Sequence, residues 1–144
     1  MSRVTDLIEE YAFWDDAARR ARRQLDRQQD RKTSVKITYS DLPRGGDPET
    51  MEDYIAERME MEMDLDEIKE RRFRAYSKIM ALAFKLTSKK QFDIIYRRDL
   101  HRDGWRRICK DLDIKRSAAT DLHTRAIRAL ERIDSESGQS DEFG

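Results

Sequence analysis

Residues Trp105 to Thr124, WRRICKDLDIKRSAATDLHT, place the tightest constraint on what this chain can fold into. Two helices packed across a short turn need apolar residues on their facing sides and a small side chain where the backbones approach. The turn between them needs a residue that tolerates an unusual backbone angle. Ile108 and Leu112, one helical turn apart, supply the inner side of the first helix, and Cys109 is the small residue at the crossing. Asp113 falls where the chain must reverse. Glycine is the usual occupant there, and aspartate is among the few L residues that enter the left-handed region at modest cost. Ile114 follows as the apolar plug of the turn, and Ala119 and Leu122 open the inner face of the second helix. Lys115, Arg116, Ser117, Thr120, Asp121 and Thr124 fall on the opposite side. The pattern predicts a helix-turn-helix whose second helix carries a polar, hydrogen-bonding edge of the kind a DNA major groove accepts.

The N-terminal third reads as one amphipathic helix. Val4, Leu7, Ile8, Tyr11, Trp14, Ala18, Ala21 and Leu25 recur at spacings of three and four, which gathers them into one stripe. Ser2 or Asp6 can cap its start. The outer face holds Arg19, Arg20, Arg22, Arg23, Arg27 and Arg31, interleaved with Asp15, Asp16, Asp26 and Asp30. That alternation favours a solvated face with local ion pairs over a phosphate grip. The stripe is too narrow to form a core alone and requires a partner helix.

Thr33 to Asp47 interrupts the pattern with β-branched residues, Pro43, Gly45 and Gly46. It reads as a connector, with an extended piece at Val35 to Tyr39, that reverses the chain. Arg44-Gly45-Gly46 lacks the Lys-Ser/Thr that opens the helix of a phosphate loop. A second long helix follows, with Asp47 as cap and Pro48 at its first position. Its stripe runs through Met51, Tyr54, Ile55, Arg58, Glu62, Leu65, Ile68, Arg72, Tyr76, Ile79, Leu82, Ala83 and Leu86. Uninterrupted to Leu86, it would be about 58 Å long. The simplest partner is the shorter N-terminal helix, folded back antiparallel, with Met51, Met59, Met61 and Met63 as core filler or as a binding face.

The C-terminal module opens at Thr87. Ser88 and Gln91 have capping-box spacing, and Phe92, Ile94, Ile95 and Tyr96 give the apolar side of a helix ending near Asp99. His101 to Gly104 form a connector in which Asp103 is placed to cap the next helix. Trp105 anchors the start of that helix. The final helix continues through Ala126, Ile127, Leu130 and Ile133, and the polar run SESGQSDEFG beyond Asp134 reads as disordered.

Charge separates these parts. Charged residues make up 42% of the chain against 38% hydrophobic, a ratio that suits long helices with narrow seams better than one compact sphere. The net charge is zero, but Ser88 to Ile133 carries 13 Lys and Arg against 7 Asp and Glu, a net of +6. Asp41 to Glu70 carries 3 against 12, a net of −9. A basic end and an acidic middle call for different partners. The acidic middle suits docking on a basic protein such as polymerase, or serves as a solvated face.

Several classes are excluded. One cysteine forms no internal disulfide, and no apolar run approaches the roughly 20 residues that span a bilayer. The first ten residues hold acids and no apolar core, so no signal peptide is expected. Cys109 is a packing residue. His101 and His123 lack Cys or His companions at ligand spacing, so no metal site is expected. No nucleophile–base arrangement can be argued from spacing, so neither an enzyme nor a cofactor is expected. The expected compartment is the bacterial cytoplasm, with no membrane partner.

Leu86-Thr87-Ser88, Ile94-Ile95-Tyr96-Arg97, the run from Trp105 to Arg116, and Arg125-Ala126-Ile127-Arg128-Ala129-Leu130 together resemble region 4 of bacterial sigma factors, which reads the upstream promoter element. The whole layout is similar to small phage regulators of the ArpU/RinA type, which activate late-gene transcription. These also place a helical N-terminal half and a Tyr-Ser-Asp-Leu-Pro-Arg-Gly-Gly-like linker, here Tyr39 to Gly46, before a sigma-like end. The chain departs from a sigma factor in having no segment able to melt a promoter, which points to an activator working with a host sigma. The resemblance implies that Lys115, Arg116, Ser117, Thr120 and Asp121 occupy DNA-contacting positions, with Thr120 and Asp121 replacing more basic or amide residues.

Chemistry adds roles. Arg116 can pair with guanine, worth about 1–3 kcal/mol of discrimination, and Asp121 can accept from cytosine or orient Arg125. Ser117 and Thr120 can bond bases or phosphates. Arg102, Arg125 and Arg128 suit backbone phosphates.

The expected fold is all-α, a long antiparallel coiled-coil hairpin followed by a helix-turn-helix bundle. The hairpin spans 1–86, with helices about 3–32 and 48–86 joined by 33–47; the DNA-binding domain is 87–133 and the tail 134–144. Expected partners are double-stranded DNA, bacterial RNA polymerase and a second copy through the hairpin. The alternatives are a protein-docking adaptor that binds polymerase through the sigma-like module without reading DNA, and a purely structural coiled coil.

Overall fold

The computed structural model describes residues 2–37 and 51–143, with side chains described for 2–30 and 51–137. The fold is all-α, and no strand occurs among the described residues. Helix α1 spans Arg3–Ile37, α2 Met51–Ala83, α3 Lys89–Ile95, α4 Trp105–Leu112 and α5 Arg116–Phe143. A single wide π-type turn, Tyr96–Leu100, extends α3. No described helix is long and apolar enough to cross a membrane.

The chain divides into two compact units, residues 1–13 with 72–144, and residues 14–71. In the first, Val4, Leu7 and Tyr11 of α1 join Ala75, Ile79, Leu82 and Ala83 of α2 in one core with Ile94, Ile95, Leu100, Ile108, Ala126 and Leu130. Tyr11 and Tyr76 meet with ring centroids 6.0 Å apart. The expected boundary at residue 86 therefore shifts. Helices α3 and α4, of 7 and 8 residues, are too short to enclose a core with α5 alone, and each Ile or Leu buried against α1 and α2 contributes about 1.5–3 kcal/mol. Caps sit where the sequence puts two of them. Ser2 Oγ accepts from the Thr5 amide at 3.1 Å, and Ser88 Oγ from the Gln91 amide at 3.2 Å.

In the second unit, Ala18 and Leu25 of α1 pack against Leu65 of α2, flanked by Ala21, Met61 and Ile68. Trp14 lies under the Arg71 guanidinium at 5.2 Å whereas Leu25 packs with Leu65, so later residues of α1 meet earlier residues of α2 and the two segments run in opposite directions. The arginine-rich outer face pairs locally, Arg19 with Asp15 at 3.2 Å and Arg22 with Asp26 at 3.7 Å. Gln28 is buried with neither side-chain polar atom hydrogen-bonded, a position the apolar stripe does not reveal. On α2, Met51 and Ile55, expected in the stripe, are exposed, as is Glu62. The inner line keeps Tyr54, Arg58 and Leu65 of that stripe and adds Met61. Of the four methionines, only Met61 is core filler.

Two segments are more helical than the sequence suggests. Helix α1 continues through Ile37, so residues 33–37 are helix rather than connector or extended piece. Lengthening an existing helix adds a hydrogen bond without a new nucleus, and β-branched residues subtract only tenths of a kcal/mol each. Within the described residues α1 covers 35 positions and α2 covers 33. The tail expected to be disordered from 134 belongs to α5, which runs to Phe143. Its continuation is anchored by Arg3, 3.8 Å from Asp134, and by Lys85, which donates to Ser137 Oγ at 3.0 Å. The Asp47 and Pro48 start signals, the rest of the connector and Arg44-Gly45-Gly46 lie outside the described residues.

Candidate nucleic-acid interface

The turn between α4 and α5 is built as its residues require. Ile108 is fully buried, and Asp113 adopts φ 52° and ψ 52°, the left-handed conformation expected of it. The amides of Asp113 and Ile114 both turn back onto the Cys109 carbonyl, the latter at 3.1 Å. These bonds satisfy the end of α4 and reverse the chain. Helix α5 then starts with the Ala119 amide donating to the Lys115 carbonyl at 2.9 Å. Gly104, not Asp103, is the residue before α4, and no side chain caps that helix. Asp103 is drawn away by His101, whose Nδ1 lies 2.7 Å from its Oδ1.

Ala119, Ala126 and Leu130 point into the core and fix the rotation of α5. The helical period then carries Ser117, Asp121, Thr124, Arg125 and Arg128 to the opposite, exposed side, with Lys115 and Arg116 exposed at its leading end. Thr120 is half-buried at the edge of this face. Among the described residues, Lys115, Arg116, Arg125 and Arg128 form no ion pair, so Asp121 does not orient Arg125. The hydroxyls of Thr120 and Thr124 donate to the carbonyls of Ser117 and Thr120, at 3.1 and 3.0 Å. With their protons held inside the helix, both offer only acceptor lone pairs outward.

Eight of the nine residues singled out from sequence thus come together on α5 and its leading turn. Arg102 does not. It lies half-buried in the connector between α3 and α4 at φ 61°, with the Asp103 amide bonded to the Arg97 carbonyl at 2.9 Å around it. Its position is that of the left-handed residue closing a helix end, a conformational role normally filled by glycine or asparagine.

The structure also adds residues. Arg132 extends the exposed stripe by one turn beyond Arg128, and with Gln91, Arg125, Arg128, Glu131 and Ser135 it lines an open depression of about 670 Å³. Its i+4 spacing from Arg128 was the available signal. Behind the turn, His123 Nε2 donates to Asp99 Oδ2 at 2.7 Å, and its ring meets Trp105 edge-on at 5.5 Å. The Arg98 guanidinium caps the same indole at 4.5 Å and donates to the Asp103 carbonyl at 3.0 Å. This network ties the π-type turn, α4 and α5 together. No spacing rule announces it, because its partners are 24 residues apart. On the surface of the same unit, Phe84, Phe92, Tyr96 and His101 stack in series at 5.7, 6.5 and 6.4 Å.

Comparison with protein-family models, with curated proteins and with solved structures finds no match to this chain.

Proposed function

We propose that this chain is a sequence-specific DNA-binding transcription regulator, a phage or prophage late-gene activator acting at promoters with host RNA polymerase in the bacterial cytoplasm. One observation carries the reading. The helix after Asp113 turns Lys115, Arg116, Ser117, Asp121, Thr124, Arg125 and Arg128 to solvent while Ala119, Ala126 and Leu130 hold it to the core. Basic side chains without ion partners, flanking a short polar edge, suit a duplex: the bases neutralise phosphates and the edge reads the groove. The activator role rests on the sigma-like and ArpU/RinA-like resemblance of the sequence.

The test is fluorescence anisotropy with a labelled duplex selected from a randomised pool, titrated over a salt series. The expected log–log slope is about −0.9 per phosphate neutralised, near −3 if Lys115, Arg125 and Arg128 each engage one. Arg116→Ala should flatten preference at one base position, and Arg128→Ala should weaken every sequence alike and shallow the slope by about 1. Absence of duplex binding, or two variants that bind like the parent, overturns the reading.

The second reading, an adaptor that docks on polymerase without DNA, is favoured by the ladder of Phe84, Phe92, Tyr96 and His101, whose Phe84 and Tyr96 are exposed. Capture of polymerase in the absence of DNA, abolished by Phe84→Ser, would select it.

A further inference from the structure

We infer that the first half of α2 is a docking face for a basic, amphipathic helix of another protein. Met51, Ile55, Met59 and Met63 follow one another at intervals of four residues and are 60%, 49%, 57% and 69% exposed. That spacing draws them into a single stripe on the helix. A contiguous apolar strip rimmed by charge marks an interaction site, whereas isolated exposed apolar residues are ordinary. Three of the four are methionines, whose unbranched, polarizable side chains adapt to a partner's surface.

Charge decides the occupant. Residues 51–71 contain nine Asp and Glu against three Lys and Arg. Two of those three bases are already matched within the helix, Arg58 to Glu62 at 3.1 Å and Arg71 to Glu67 at 3.2 Å. The surplus acids surround an apolar strip and complement a partner that is both basic and apolar. Two faces that a second copy could bring to this strip both fail. Pairing the same face across a two-fold axis would set the acidic surplus against itself. The outer face of α1 supplies arginines but no apolar anchor, since every exposed residue from Asp16 to Asp30 is polar. An incoming helix with apolar residues at i, i+4 and i+7 and lysines or arginines between them satisfies both requirements.

The probe is a synthetic helical peptide of leucine and lysine with that spacing, added to the full chain in isothermal titration calorimetry. Controls are a scrambled peptide of equal composition and a leucine–glutamate analogue. The expected result is saturable binding of the first peptide alone, weakened at least tenfold by the paired exposed-site substitution Met59→Gln/Met63→Gln. Far-UV circular dichroism and duplex affinity should be unchanged in that variant, which separates this inference from the DNA reading. Equal binding of the scrambled peptide, or no loss in the Met59→Gln/Met63→Gln chain, overturns the proposal. So does a dimer of the free chain in sedimentation velocity that these substitutions dissolve, which would make a second copy the occupant.

Discussion

Replacing Asp99 by alanine tests whether the buried pair behind the turn holds α5 in place. Asp99 is 9% exposed and its carboxylate accepts from His123 Nε2 at 2.7 Å. Losing a hydrogen bond to a charged group costs about 1.5–3 kcal/mol. The His123 side chain keeps 21% exposure, so water can partly satisfy the stranded N–H, and the loss for Asp99→Ala falls near the lower end, about 2 kcal/mol. His123→Ala forfeits the same bond and also the edge-on contact with Trp105, which adds about 0.5–1.5 kcal/mol and brings it to about 3 kcal/mol. If one interaction underlies both losses, the double variant should lose little more than His123→Ala alone, leaving a coupling of about 1.5–2 kcal/mol. Urea unfolding followed by Trp105 fluorescence, in a Trp14→Phe background so that one indole reports, measures all four corners. Additivity within about 0.5 kcal/mol would refute the reasoning, because it would mean the two side chains act independently.

Asp113 offers a second test. In its left-handed conformation, Asp113→Gly removes backbone strain but adds unfolded-state entropy, so stability should change by no more than about 1 kcal/mol. Asp113→Val, β-branched at the same angle, should lose more than about 1 kcal/mol in the same urea titration. Ser88→Ala should lose about 1 kcal/mol with its cap to the Gln91 amide, and Ser88→Asp should retain most of it, as read from thermal melts.

The parts of the fold that were legible in sequence are those written in local spacing. The α1 stripe, the Ser2 and Ser88 caps and the left-handed Asp113 each depend on residues within a few positions of one another, and physics at that range is strongly determined. The rest was hidden for two different reasons. The ends of α1 and α5 outran their sequence signals because extending a helix is nearly free once it exists. The true extent of the C-terminal unit, and the Asp99–His123–Trp105–Arg98 network, depend on residues brought together only by the tertiary fold. Val4 and Leu130 share a core although 126 positions separate them, and a periodicity shows only that each needs cover. Arg102 shows a third limit. Its residue type suggested a phosphate ligand, whereas its backbone, at φ 61°, gives it a place in a helix terminus.

The exposed face of α5 carries a chemical asymmetry that bears on what it would read. Thr120 and Thr124 spend their hydroxyl protons on carbonyls of their own helix, and Asp121 between them is an acceptor, so the middle of the face presents acceptors alone. Phosphates are acceptors as well, and the Asp121 charge would repel them. The middle of the face is therefore unsuited to the backbone and suited to base amines, N4 of cytosine or N6 of adenine. At the two ends the signs reverse. Lys115 and Arg116 lead, Arg125, Arg128 and Arg132 follow, and all are donors. The recognition helix of a helix-turn-helix turns its N-terminal residues to base edges, so Arg116 and the acceptors behind it would face bases while Arg125, Arg128 and Arg132, further along, would meet the backbone.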